Sequence, residues 1–481
     1  MTTPDQPAVT LASLEKLLEN DDRVQVAGID VDGILRGKIM LKSKFISAAK
    51  DGFGYCSVVF GWDLHDRTYT KELEISNLKN GYRDILAKVD LSSYRRLPGT
   101  PSLPFFLVTF YDPDTQQGLY ACPRATLQKV VDQLDEAGYE AFAGAEYEYF
   151  QFRETPKSLY EKDFHGLTPL SEGMHGYSLL RPELNKEYFH ALYDNCKSFD
   201  IPIEGHHTET GPGVFESALA YQRVSRMADN AILFKHMAKT TGLEHGVMPT
   251  FMAKPYGDQP GCSGHVHISL RDKNGNNVFA VGEDEVEKGR KEAKYEDTAR
   301  ISQVGEWFLA GILEGLPDIM PCLVPTVNGY KRLVESFWAP TSVSYAYESR
   351  LASVRIISPP MGDPKSTRLE VRVPGADMNP YFAFSSLLAL GLRGIRNRTT
   401  LPGPPIRPPA PGSKQNPLQH LERLPNSLEK AVEKFLRPKS LAREVLGDEF
   451  VDHYGATRQN EAELYNQAVT DWELRRYLEL A

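Results

Sequence analysis

Cysteine is scarce. The five residues (Cys56, Cys122, Cys196, Cys262, Cys322) are scattered, and none forms a C-x-x-C pair. An odd, dispersed set supplies neither a disulfide framework nor a zinc ribbon and fits reduced thiols. No apolar run is long enough to span a bilayer, and Met1-Thr2-Thr3-Pro4-Asp5 has no signal-peptide pattern. The expected location is therefore cytoplasmic, with no membrane partner. Positive charge is in deficit: 55 Lys and Arg against 64 Asp and Glu leave a net charge of −9, which argues against a general nucleic-acid binder. Internal repeats are lacking too. What remains is an ordinary globular composition, 41% hydrophobic and 25% charged. At 481 residues the chain has length for roughly two to four domains.

The N-terminal part carries short alternating runs. Val24–Asp30 and Ile34–Met40 flank Asp32-Gly33, and Asp-Gly between apolar runs predicts a hairpin. Leu11–Leu18 predicts a short helix and Asp84–Val89 a further strand, with Pro98, Pro101 and Pro104 marking an exit. Next, Pro123 suits a first helical position. Leu127, Val130, Val131 and Leu134 give that helix an apolar stripe, and Gly138 stops it. Further helices are predicted over 185–199, 218–242 and 379–394 and in the C-terminal residues. Strands are predicted over 261–270, 353–357 and 368–373, and 401–417 is a Pro/Gly-rich loop. Helices interleaved with antiparallel-looking strands predict an α+β fold. Residues 1–115 form a β-rich N-terminal domain and 116–481 a larger one.

The larger domain is organised around Gly144-Ala145-Glu146-Tyr147-Glu148-Tyr149-Phe150. On a strand, Glu146 and Glu148 point to one face. Two carboxylates that close repel unless a cation lies between them or one takes up a proton. His265 and His267 repeat the i, i+2 spacing, as do Arg368, Glu370 and Arg372, with Val266, Ile268, Leu369, Val371 and Val373 between or beside them. This pattern predicts a sheet with one face in a core and the other lining a charged site. Each strand alone reads equally as a solvated face, and Glu370 between two arginines reads equally as a structural ion-pair ladder.

Taken in order, five motifs resemble the glutamine synthetase family from about Val24 to Tyr477. They are Glu146-Tyr-Glu148, Glu209-Thr-Gly-Pro-Gly-Val-Phe-Glu216, His265-Val-His267, Asn328-Gly-Tyr-Lys-Arg332 and Arg368-Leu-Glu370-Val-Arg372. The match looks nearest to the class I-related branch that includes fluG-type fungal proteins. The resemblance implies a small β-grasp-like N-terminal domain and a catalytic domain with a curved antiparallel sheet and surrounding helices. It implies a homo-oligomer of stacked rings, decamer or dodecamer, with each site completed by a neighbour. It also implies that ATP activates the γ-carboxylate of glutamate as an acyl phosphate, which an amine then attacks. About two or three Mg²⁺ or Mn²⁺ ions would hold the phosphates. Residue by residue, Glu148, Glu209 and Glu216 match the ligands of one metal, and Glu146, His265 and Glu370 those of the second. Mostly carboxylate oxygen suits such hard ions. Arg332 and Arg372, with Gly261, match the substrate-binding positions. Arg350 and Arg355 match arginines that contact phosphate, Arg332 and Arg350 having catalytic roles. His267 and Ser269 match positions near the nucleotide.

The departures cluster at the ammonium pocket. Trp338 stands where ammonia-using relatives carry a flap glutamate that takes a proton from ammonium, and an indole only donates. Glu335 is the nearest carboxylate in that segment. Tyr55-Cys56-Ser57 replaces an aspartate-bearing segment of the neighbour, Pro260-Gly261 replaces Asn-Gly, and Val214 replaces a glutamine. The residues of the first half-reaction are kept and those that collect ammonium are lost. The expected activity is ligation of glutamate to an organic amine. Ordinary glutamine synthesis and a non-catalytic scaffold are the alternatives.

Overall fold

The computed structural model describes residues 8–69, 71–99, 102–337, 339–358, 363–407 and 420–481. Six strands make a first sheet: β1 (Arg23–Ile29), β2 (Leu35–Leu41), β3 (Phe53–Cys56), β4 (Asp84–Val89), β5 (Arg95–Arg96) and β6 (Pro104–Tyr111). The order is β2-β1-β6-β4-β3, with β5 also on β6. The predicted hairpin is β1–β2. Its turn is closed by Asp30, whose Oδ1 accepts from the amides of Asp32 and Ile34 at 3.0 and 2.8 Å, while Gly33 supplies the left-handed φ of +79°. β1 runs parallel to β6, so the sheet is mixed. The helix Lys42–Asp51 covers one face, with the Phe45 ring tilted against that of Phe106 at 4.8 Å.

The second sheet has nine strands: β7 (Glu140–Phe152), β8 (Ile203–Thr208), β9 (Phe215–Leu219), β10 (Gln222–Arg223), β11 (Met248–Thr250), β12 (Gly264–Arg271), β13 (Tyr345–Tyr347), β14 (Val354–Ile357) and β15 (Arg368–Val371). Its path is β13-β14-β15-β12-β7-β9-β8, with β10 and β11 also on β7. β7, at 13 residues, is the strand on which four others pair. All these pairings are antiparallel except β13–β14, which is parallel, so the expected antiparallel sheet is mixed at one edge.

One face of this sheet is core. Tyr147, Tyr149, Val266, Ile268, Leu369 and Val371 are all fully or almost fully buried. The helix Val224–Glu244 lies against that face, with Phe234 5.8 Å from Tyr149 and 6.0 Å from Tyr147. The helix predicted over 218–242 starts only at Val224. Residues 215–219 are extended, because Phe215, Ser217 and Leu219 point into the core at period two. Arg124, at the start of the helix Pro123–Glu136, joins the two layers by ion pairs to Asp90 of the first (2.6 Å) and Asp229 of the second (2.9 Å). The helices Gln303–Gly315, Pro380–Asn397 and Asp448–Gln467 complete the packing. Residues 408–417 of the predicted Pro/Gly-rich loop lie outside the described residues, as does Pro101. Among the described residues, no helix is long and apolar enough to cross a membrane.

Candidate active site

Directly opposed residues of an antiparallel pair share a face, so the register builds the site. His207 is opposite Glu216, Glu216 opposite Glu148, and Glu146 opposite His265. His267 is opposite Glu370, and Glu370 opposite Arg355. One polar face, drawn from six strands, thus gathers the Glu, His and Arg residues of the alternating segments.

Two groups of ligand atoms lie within 4.8 Å of one another among the described residues: Glu146, His265 and Glu370, and His207, Glu209 and Glu216. In the first, His265 Nδ1 is 3.6 Å from Glu146 Oε2 and 3.7 Å from Glu370 Oε1. Arg355 donates to Glu370 Oε2 at 2.9 Å and Arg372 donates to its Oε1. The ion-pair ladder is therefore real, and it coexists with the clustered ligands. Burial would raise the Glu370 pKa, but the charges of His265, Arg372, His267 and Arg355 outweigh it and hold it near 2. Burial likewise opposes ionisation of Glu146, yet hydrogen bonds and charge from His265 and His267 keep it well below the usual range. His267 Nδ1 faces Arg368 Nε at 3.1 Å, and its Nε2 lies 3.0 Å from Glu146 Oε1.

The second group behaves oppositely. Burial, then the carboxylates Glu148, Glu146 and Glu209, push Glu216 up to about 9. Glu209 Oε2 is buried without a hydrogen-bond partner. A divalent cation would relieve both conditions, and the donor set of carboxylates with one imidazole fits Mg²⁺ or Mn²⁺. Glu148 belongs to neither group. Its Oε2 accepts from the Ser263 amide at 2.6 Å.

Arg332 is buried and donates to the Val373 carbonyl. Burial, with Arg372 adding to it, lowers its pKa against the pull of Glu148 and Asp377. It lies across Gly261, where a Cβ would stand 2.6 Å from Arg332 Cγ and 2.7 Å from the Ala253 oxygen. Arg372 Nε holds the Arg350 carbonyl at 3.1 Å, and the exposed Arg350 guanidinium acts on Glu216 and Tyr177. Ser269 is buried two residues beyond His267. Trp338 lies outside the described residues.

The shape of the whole chain agrees with a known fold. A solved GmaS–ADP complex superposes with a TM-score of 0.79 at 22% identity, covering 98% of this chain and 99% of that one. The family model for the glutamine synthetase catalytic domain matches residues 120–477. The chain belongs to the glutamine synthetase family. A type-1 glutamine synthetase of Dictyostelium discoideum is 42% identical over 95% of this chain and 84% of that protein. A glutamate–isopropylamine ligase of a Pseudomonas species is 31% identical over 96% of each chain. A gamma-glutamylethanolamide synthetase of Streptomyces coelicolor is 30% identical over 95% of this chain and 93% of that one. Members of the family are carboxylate–amine ligases that use ATP and divalent metal ions, and this protein is an ATP-dependent ligase of that class.

Two residues of the ligase's polar face were not singled out in the sequence. His207 sits in Glu204-Gly205-His206-His207, whose glycine hides the strand alternation. Tyr177 stacks on His207 at 4.4 Å and 28°. It reaches the site from a loop, in a left-handed conformation (φ 55°), with its amide on the Thr208 carbonyl at 2.8 Å. Partial burial and the charges of Glu216 and Glu209 raise its pKa. No local sequence signal marks it.

Proposed function

We propose that this ligase activates the γ-carboxylate of glutamate as an acyl phosphate and joins it to an organic amine in preference to ammonia. Glu146, His265 and Glu370 would hold one divalent cation, and Glu148, Glu209 and Glu216 another. When bound, these ions offset the charge that develops on the transferring phosphoryl oxygens. Arg332 and Arg372 would orient the glutamate carboxylates, since a guanidinium fork matches two oxygens at once. Arg350 and Arg355 would face phosphate, and His267 and Ser269 the nucleotide.

The observation that carries the amine preference is the flap. Ammonium needs a carboxylate to collect and deprotonate it, and Trp338 cannot accept a proton. The remaining carboxylate of that segment, Glu335, is taken by Arg423 at 2.6 Å. An indole wall instead suits the apolar stem of an amine. The two amine-ligase relatives, which match nearly the full length, support the same reading. The 42% identity to a type-1 glutamine synthetase favours a second reading, glutamine synthesis through an altered pocket, and supports the class I-related branch.

Catalytic efficiency measured for ammonium and for alkyl and aryl amines tests this. The wild type is expected to favour an amine, and Trp338→Glu to move the ratio toward ammonium. A wild type that prefers ammonium refutes the proposal. We also take 1–115 and 116–481 as the two domains and a stacked-ring homo-oligomer as the working form. A stable, active monomer in light scattering would overturn the latter.

A further inference from the structure

We propose that the cavity between the β1–β2 hairpin and the helix Val224–Glu244 is a second binding site, that it takes a small hydroxycarboxylate, and that its occupancy weakens the hold of Arg332 on the acid substrate. The cavity measures about 560 Å³, a size that suits a small molecule. It lies behind the nine-stranded sheet: Lys235 in its wall sits over the Tyr147 ring, on the core face of β7, 4.8 Å from the centroid. Ile34 and Leu35 of the hairpin, Ile232 of the helix, and Phe251 and Met252 beyond β11 give it an apolar wall. Asp32 is paired with Arg458, and Asp377 Oδ2 accepts from the Thr326 hydroxyl. The charge left over is positive. His236, half-buried, and Lys239, at the mouth, both line the cavity at i, i+3 on one helix face. Neither side chain has a hydrogen-bond or ion-pair partner among the described residues. Burial and then the Lys239 charge lower the His236 pKa, and a carboxylate between the two would offset both. Asp377 Oδ1 is buried with no hydrogen-bond partner, so an occupant with a hydroxyl donor satisfies it.

The floor of this cavity is the back of the substrate site. Lys235 Nζ donates to the carbonyls of Ala376 and Met378 at 2.6 and 2.7 Å, and so clasps the segment that carries Asp377. The other side of that segment bears on Arg332. Arg332 donates to the Val373 carbonyl, and the Asp377 charge acts on it. The Ala376 amide donates to the Cys262 carbonyl at 3.3 Å, next to the Gly261 that Arg332 crosses. Asn379, at the segment's end, donates to the Asp30 and Val31 carbonyls at 3.2 and 3.1 Å and ties it to the hairpin. A carboxylate in the cavity competes with Asp377 for the Lys235 charge. Asp377 then pulls harder on Arg332, and the acid substrate is held less tightly.

The inference rests on Arg332 facing the acid substrate and is independent of which amine is used. Fluorine NMR of the full protein tests it, with trifluoro-β-hydroxybutyrate as the probe and calorimetry to read glutamate affinity. Saturable binding of the probe is expected, weaker for trifluorobutyrate, which lacks the hydroxyl, and lost for trifluorobutanol, which lacks the charge. The double variant His236→Gln, Lys239→Gln should bind the probe at least about tenfold more weakly, with the wild-type affinity for glutamate as the sign of intact folding. Coupling between two sites is reciprocal and finite. The probe should therefore weaken glutamate binding to a plateau about fivefold lower, and glutamate should weaken the probe by the same factor and no further. Displacement of the probe by glutamate without limit would place it in the substrate site and overturn the proposal. Absence of saturable binding, full probe affinity in the double variant, or glutamate affinity unmoved by the probe overturns it as well. A wrong role for Arg332 shows separately, as full glutamate affinity in Arg332→Lys.

Discussion

Glu216 is the carboxyl on the polar face that most resists ionisation, and replacing it by a neutral amide should stabilise the metal-free protein. Its side chain is largely buried, and the pKa is raised from 4.5 to about 9 by burial and then by Glu148, Glu146 and Glu209. A carboxyl whose folded pKa is raised contributes stability that is complete below the unfolded value and is lost as pH rises through the folded one. Each pH unit between the two pKa values costs about 1.4 kcal/mol. Between pH 5 and pH 7 Glu216 should therefore cost the chelated wild type about 3 kcal/mol relative to Glu216→Gln, which should be the more stable at pH 7 by about that amount. Manganese should reverse the order. An ion at a hundred times its dissociation constant adds about 2.7 kcal/mol to a protein that binds it, and Glu216→Gln would forgo that at this site. The assay is urea denaturation at fixed protein concentration, at pH 5, 6, 7 and 8, with chelator and then with Mn²⁺. Parallel pH curves for wild type and variant in chelator would refute the like-charge account of the site.

Other consequences are equally open to measurement. Gly261→Ala puts a Cβ against Arg332 and the Ala253 oxygen. It should cost about 1–3 kcal/mol in urea denaturation and raise the KM for glutamate more than that for ATP. Arg332→Lys should keep the fold by circular dichroism yet raise the glutamate KM, because an ammonium cannot present the guanidinium fork. Arg458→Ala should destabilise by about 3–5 kcal/mol in the same denaturation assay, since it strands Asp32 in a buried ion pair at 2.5 Å.

The chemistry-bearing face was legible in the sequence where a strand is long and its alternation clean. Glu146 and Glu148, His265 and His267, and Arg368, Glu370 and Arg372 each kept the period-two spacing, and the structure sets all three segments side by side as β7, β12 and β15. What the spacing could not supply was the partner across each strand, because register depends on non-local pairing. So the pairing of Glu216 with His207, the turning of Glu148 toward Ser263, and the engagement of Glu335 by Arg423 emerge only in three dimensions. The hairpin at Asp32-Gly33 was legible because turn chemistry is local, whereas the parallel pairing of β1 with β6 joins segments about eighty residues apart. The helix boundary at Val224 was misplaced because the short strand before it shares the helix's apolar content.

The two-faced strand β7 also limits how the gene can change. Its odd and even positions serve different masters: Tyr147 and Tyr149 fill the core while Glu146 and Glu148 face the ligands. Inserting or deleting one codon anywhere along those thirteen positions would exchange the two sets, driving carboxylates into the core and tyrosines into the site. Point substitutions can be tolerated there one at a time, but length cannot vary. Insertions and deletions should therefore collect in the connections around the sheet. The loops can then change length while the two-faced strands and the charged residues they carry stay in frame.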